Sequence, residues 1–173
     1  MKKIFKYIFA GMAAMSVVAC SEDALETSPS SSVSGNELLG TATNALVSLN
    51  GVYRAMYTAG VSNSSNTHQC FGITAYNLVA DVMGEDCIMN GQGSGWFWYD
   101  CVYNVKSRYT STGWRSYDMW NGYYTWISNV NYILAEEETM SGSETEKNYV
   151  LGQAYAVRAY SYFMLAQMFS RTY

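Results

Sequence analysis

Four aromatic residues in succession, Trp96, Phe97, Trp98 and Tyr99, follow a glycine-rich run and precede Asp100 in "GSGWFWYDCVYN". On an extended strand, side-chain alternation would put Trp96 and Trp98 on one side. Rings presented together can stack on the apolar faces of sugars, while nearby carboxylates and amides bond hydroxyls, the mix of a ligand site. Asp81, in "NLVADVMGED", is the carboxylate nominated beside them, so the candidate ligand-binding residues are Asp81, Trp96, Trp98 and Tyr99. The same rings could instead fill a gap between helices, and the sequence leaves both readings open.

Other reactive side chains give less. The single histidine, His68, has no Ser or Cys partner at motif spacing and reads as exposed or packed. Phosphate loops and dinucleotide fingerprints are missing, and no acids stand at calcium-loop spacing, so no catalytic residue, metal or cofactor is expected. A glycosidase would need two carboxylates converging about 5 to 10 Å apart, for which Asp81, Asp86 and Asp100 are the available acids. Cys70, Cys87 and Cys101 are an odd set at spacings unlike zinc or redox motifs, so at most one pair closes.

Cys20 has a different role. Lys2, Lys3 and Lys6 precede an uncharged run from Tyr7 to Ala19, within the range of a secretory h-region and shorter than a spanning helix. Val17, Val18, Ala19 and Cys20 resemble the lipobox of bacterial lipoproteins, whose cysteine becomes the first mature residue and is acylated on sulfur and amine. Residues 1–19 are thus expected to be a signal peptide. Two or more acyl chains make a stable anchor where one is marginal. Ser21, Glu22 and Asp23 resemble the acidic tag of surface-exposed lipoproteins, and the serine-rich stretch to residue 35 reads as a flexible tether. Cleavage would leave seven basic residues against fourteen acids, a balance that excludes nucleic acid as a partner.

The rest must position the rings. Ser34 and Glu37 have capping-box spacing, and Leu38, Ala42, Ala45, Leu46, Leu49, Val52, Tyr53 and Met56 recur at helical intervals, which predicts a helix over about 36–58. A second helix is predicted from near Ser116 to the Glu136–Glu138 run, with Trp120, Tyr123 or Tyr124, Ile127, Asn131 and Leu134 on one face. A third over about 144–170 opens on the Ser143/Glu146 capping pair, with a stripe of Leu151, Ala154, Tyr155, Arg158, Tyr162, Leu165 and Phe169. The last two should form an antiparallel hairpin approached closely through Gly152, Ala156 and Ala159; Arg158 should reach a helix end or a carboxylate, and Asn131 should be a buried amide. Ala159 and Phe163 echo the A-x3-F of tetratricopeptide repeats. Residues 70–115 read as irregular.

"NALVSLNGVYRAMY", "MWNGYYTWISNVNYIL" and "GQAYAVRAYSYFMLAQMF", in this order behind a lipobox, resemble the N-terminal signatures of SusD/RagB-type nutrient-binding lipoproteins. The third is the most specific, through Gly152, Ala154, Arg158, Ala159, Tyr162 and Phe163. The resemblance implies an all-α fold of tetratricopeptide-like hairpins with an irregular aromatic-rich insertion. Residues 36–173 would be its N-terminal helical domain, cut short at the C-terminal end relative to the family. It also implies a non-enzymatic protein, lipid-anchored in the outer membrane through Cys20 and exposed at the cell surface. Such a protein captures glycans or other nutrients for a SusC-type TonB-dependent transporter. A helical-repeat adaptor that binds only proteins, or a non-functional fragment, are the alternatives.

Overall fold

The computed structural model describes residues 38–59, 67–84, 87–102 and 109–170. Cys20, the tether and the Ser34/Glu37 pair lie outside them. Five helices occur among the described residues: α1 (Ala42–Ala55), α2 (Ile73–Met83), the single turn α3 (Trp98–Cys101), α4 (Trp114–Ala135) and α5 (Glu144–Phe169), with a 3-10 turn at Thr67–Gln69. The described residues contain no strand, so the all-α expectation holds; a β-bridge pairs Thr41 with Ser141. No described helix is long and apolar enough to cross a membrane.

Helix α1 begins later than its apolar spacing predicts. Leu38 and Leu39 are helical, but Gly40 breaks the run, and Thr41 is extended (φ −129°, ψ 148°) and caps α1 by accepting the Asn44 N–H on its hydroxyl at 3.1 Å. The cause is tertiary. Ala42 N–H donates to the Ser141 carbonyl and Ser141 N–H to the Gly40 carbonyl, both at 2.9 Å, which clips this point to the turn between α4 and α5.

Helix α2 falls in the segment read as irregular. Its buried residues, Ala75, Tyr76, Val79 and Val82, have helical spacing over a length too short for a strong signal. Gly72 fixes its start. There φ is +73°, and a Cβ would lie 1.9 Å from the Met56 carbonyl oxygen, the same oxygen that accepts the Ile73 N–H at 2.8 Å. Glycine alone allows the chain to return against the end of α1.

Helices α4 and α5 form the expected hairpin, and α1 packs on both. The Ser143 capping box is made in both directions: Glu146 N–H donates to Ser143 Oγ at 3.3 Å, and Ser143 N–H to Glu146 Oε2 at 2.9 Å. The expected faces require correction. In α4 the buried set includes Met119, Tyr123, Trp126, Ile127, Val130, Ile133 and Leu134, while Trp120 and Asn131 are exposed. In α5, Leu151, Ala154 and Leu165 turn inward as predicted, but Tyr155, Tyr162 and Phe169 turn outward. Helix α5 carries apolar residues on nearly every side, so periodicity cannot select its inner face. Arg158 donates to the Asn131 side-chain oxygen at 3.0 Å rather than to a helix end or carboxylate.

The expected small residues do not make the close approach. Gly152, Ala156 and Ala159 are exposed. A close approach is made instead between α4 and α2, at Gly122, where a Cβ would lie 2.3 Å from the Tyr76 hydroxyl. Tyr76 uses that gap to donate to the Asp118 carbonyl at 3.0 Å. Around it the rings of Tyr76, Tyr123 and Trp126 pack with centroids 5.0 to 6.0 Å apart, forming the centre of the core.

Candidate functional site

The four successive aromatics do not form a strand. Gly93 and Gly95 have positive φ, the Gly95 N–H closes a turn on the Gln92 carbonyl at 2.7 Å, and Trp98 begins α3. Phe97 between them is left-handed, with φ 57°. This breaks the expected alternation: Phe97 points inward and is 7 % exposed, Trp98 is half-buried, and Trp96 and Tyr99 remain 51 % and 42 % exposed. A bulky residue at positive φ is strained. Burial of the Phe97 ring against Phe71, centroids 6.2 Å apart, offsets that cost.

Trp96 rests on the His68 ring, centroids 5.0 Å apart. Trp96, Trp98 and Tyr99 are thus presented within one turn of chain. Asp81 is not part of that turn; it lies on the exposed side of α2, a helix that packs against α3, and has no hydrogen bond or ion pair among the described residues.

Beneath the rings lies a buried polar cluster. Arg115, in the first turn of α4 and 4 % exposed, donates from Nε and Nη2 to the two Asp100 oxygens at 3.2 and 2.8 Å. Its Nη1 donates to the Gln69 carbonyl at 2.7 Å. The Gln69 side-chain oxygen in turn accepts the Phe97 N–H at 2.7 Å, and the Tyr109 hydroxyl donates to Asp100. The guanidinium is enclosed by the Trp114 and Phe97 rings, 4.3 and 5.2 Å from their centroids. Burial, and then the bond to Asp100, push the Tyr109 hydroxyl well above the ordinary tyrosine range. Asp100 is therefore committed to structure, which removes it from the acids open to glycosidase chemistry; Asp86 lies outside the described residues.

A second acid, Asp118, is fully buried one turn along α4. Burial raises its carboxyl above the ordinary value, against the opposing effects of Cys70, Arg115 and Tyr76. Cys70, Cys87 and Cys101 form no disulfide with one another. Elsewhere, a cleft of about 560 Å³ opens between α2, α4 and the end of α5, lined by Tyr76, Met83, Met119, Met168 and Phe169 with the hydroxyls of Ser111 and Ser116. On the outer side of the hairpin Trp120 packs on Tyr124 and Phe169, centroids 4.6 and 5.1 Å apart.

The sequence reading missed Arg115. A lone arginine among Gly113, Trp114 and Ser116 has no motif around it, and its partner Asp100 belongs to the ring segment. The available signal was its place at a helix N-terminus, where a cation opposes the macrodipole unless an acid faces it.

No match to the chain was found among curated proteins or among solved structures. Residues 28–173 match the family model SusD-like_3, described as starch-binding and associating with the outer membrane. That match covers the helices, the Trp96–Tyr99 turn and the Arg115 cluster alike, and the chain accordingly belongs to the SusD-like family.

Proposed function

We propose that this chain is a glycan-capturing lipoprotein. In this reading residues 1–19 are a signal peptide, Cys20 carries the lipid, residues 20–35 are a tether, and residues 36–173 form the helical binding domain on the outer face of the outer membrane. Neutral oligosaccharide stacks on Trp96 and Tyr99, with Trp98 supporting them and Asp81 as an accessory hydroxyl-bonding carboxylate. The sugar then passes unaltered to a SusC-type TonB-dependent transporter.

The observation that carries this reading is the exposure of Trp96 and Tyr99 on a turn fastened through Asp100 and Gln69 to Arg115, in a family described as starch-binding. Isothermal titration with maltoheptaose, beside an acidic oligosaccharide and a peptide, provides the test. Trp96→Ala and Tyr99→Ala should each weaken maltoheptaose binding by roughly 1 to 3 kcal/mol, on the scale of base stacking on aromatics. Stability should shift by no more than about 0.5 kcal/mol, as for other surface sites. Asp81→Asn should have a smaller effect. Unchanged affinity in both ring variants overturns the assignment. Cys20→Ala should abolish fatty-acid labelling, and protease shaving of intact cells should remove the native protein.

The exposed Trp120, Tyr124 and Phe169 cluster favours a second reading, an adaptor that binds proteins through the hairpin. Binding of peptide but no sugar would select it.

A further inference from the structure

Every segment that carries a ring of the Trp96–Tyr99 surface is fastened, within one residue of that ring, to the Arg115 cluster. Gln69, whose carbonyl accepts from Arg115, follows His68, the support of Trp96. Phe97, held by the Gln69 side chain through its N–H, stands between Trp96 and Trp98. Asp100, gripped by two guanidinium nitrogens, follows Tyr99. The guanidinium thus ties two separate stretches of chain, 67–70 and 96–101, to the start of α4, and neither Arg115 nor Asp100 reaches the exposed surface.

Stability alone does not require this arrangement. A buried ion pair can often be replaced by apolar residues of similar volume at no loss. A cation in the first turn of a helix also opposes the macrodipole. What an apolar pair does not supply is direction. The planar fork spans the Asp100 carboxylate and the Gln69 carbonyl at once, which a single ammonium does not reproduce.

We propose that Arg115 and Asp100 are positioning residues for ligand capture: their pair holds Trp96, Trp98 and Tyr99 in one array, so that ligand meets an ordered surface. The affinity part of this proposal rests on the ring surface being the binding site; the ordering part does not. Fixing side chains before binding removes an ordering cost from association.

The test uses the full chain labelled with 5-fluorotryptophan, each resonance assigned by Trp→Phe replacement. Three variants are compared with the native protein: Arg115→Lys, Asp100→Asn, and the double replacement Arg115→Met with Asp100→Leu. The double variant should recover most of the stability lost in Arg115→Met and keep a sharp Trp126 resonance. In all three, the Trp96 and Trp98 resonances should broaden or split, and maltoheptaose affinity should fall about tenfold, the loss of one or two pre-ordered side chains. Single sharp Trp96 and Trp98 resonances at native shifts in the double variant overturn the proposal, whether or not sugar binds. Should Trp96→Ala leave affinity unchanged while these resonances broaden, the binding-site reading fails and the ordering of the rings stands. Should Trp96→Ala weaken binding and the double variant bind normally, positioning is refuted and the ring site survives.

Discussion

The scaffold of α1, α4 and α5 and the turn that carries Trp96–Tyr99 are held by different physics. In the scaffold, order comes from many apolar neighbours: Leu49, Tyr123, Trp126, Val130 and Val150 are each 1 % exposed or less, and no single contact decides the packing. In the turn, two stretches of chain are tied to α4 by one guanidinium and its partners. A scaffold of the first kind yields gradually to substitution. The second kind fails when one partner is lost, because the other is left as a buried charge.

The largest effects should test that contrast directly. Trp126→Ala should cost about 3 to 5 kcal/mol in denaturant unfolding, the range for a core tryptophan. Arg115→Met alone should cost a similar amount, about 3 to 5 kcal/mol, since Asp100 remains buried without its countercharge. The two should differ in repair. Adding Asp100→Leu to Arg115→Met should restore most of the loss, whereas a second truncation beside Trp126→Ala should deepen it. Equal behaviour of the two pairs would dissolve the distinction.

Gly122→Ala should follow, at about 1 to 3 kcal/mol, because its methyl displaces the Tyr76 hydroxyl from the Asp118 carbonyl. Ser143→Ala should cost about 1 kcal/mol, the loss of one helix cap. Thermal melts of both variants provide the check.

The smallest expected effects are in pH dependence, and they have opposite signs. Burial raises the Asp118 carboxyl in the folded state above its ordinary 3.8, so its stabilising contribution is full below that value and is lost as pH rises through the raised one. Asp118→Asn should therefore gain stability relative to the native protein as pH climbs above the ordinary 3.8. Glu146 is held below its ordinary 4.5 by the Ser143 hydroxyl and then its N–H; its contribution is present above 4.5 and is lost as pH falls through the lowered value. Glu146→Gln should remove that acid-side loss. Melting temperature against pH for the two variants should show opposing slopes.

The same contrast explains how much of the molecule was legible in its sequence. Helices α1, α4 and α5 could be placed because apolar residues recur at helical intervals and Ser143 and Glu146 carry a local capping signal. Inner faces were harder to place. Trp120, Tyr124, Tyr155 and Tyr162 are as aromatic as the residues that are buried, so hydrophobicity did not separate inside from outside. Helix α2 was missed because its start depends on Gly72 meeting the end of α1, a contact between distant parts of the chain. The ring segment was found by composition, and its conformation was misread. Alternation presumes extended backbone, and the left-handed Phe97 is stabilised by partners that periodicity does not register.

The bridge between Thr41 and Ser141 also bears on the order of folding. Ser141 Oγ bonds the Gly40 carbonyl across a sequence separation of 101, and the Tyr53 hydroxyl bonds Gln153 across 100. Helix α1 therefore finds its main helical partners, α4 and α5, far along the chain, whereas α4 and α5 find each other across one short turn. Local contacts form quickly and distant ones wait on loop closure. In a chain made from its N-terminus, α1 emerges first and docks last, with Ala45, Leu49 and Val52 uncovered until the hairpin exists. During that interval the nascent chain depends on whatever shields an apolar helix face from aggregation, and substitutions in α1 should alter unfolding rates far more than folding rates.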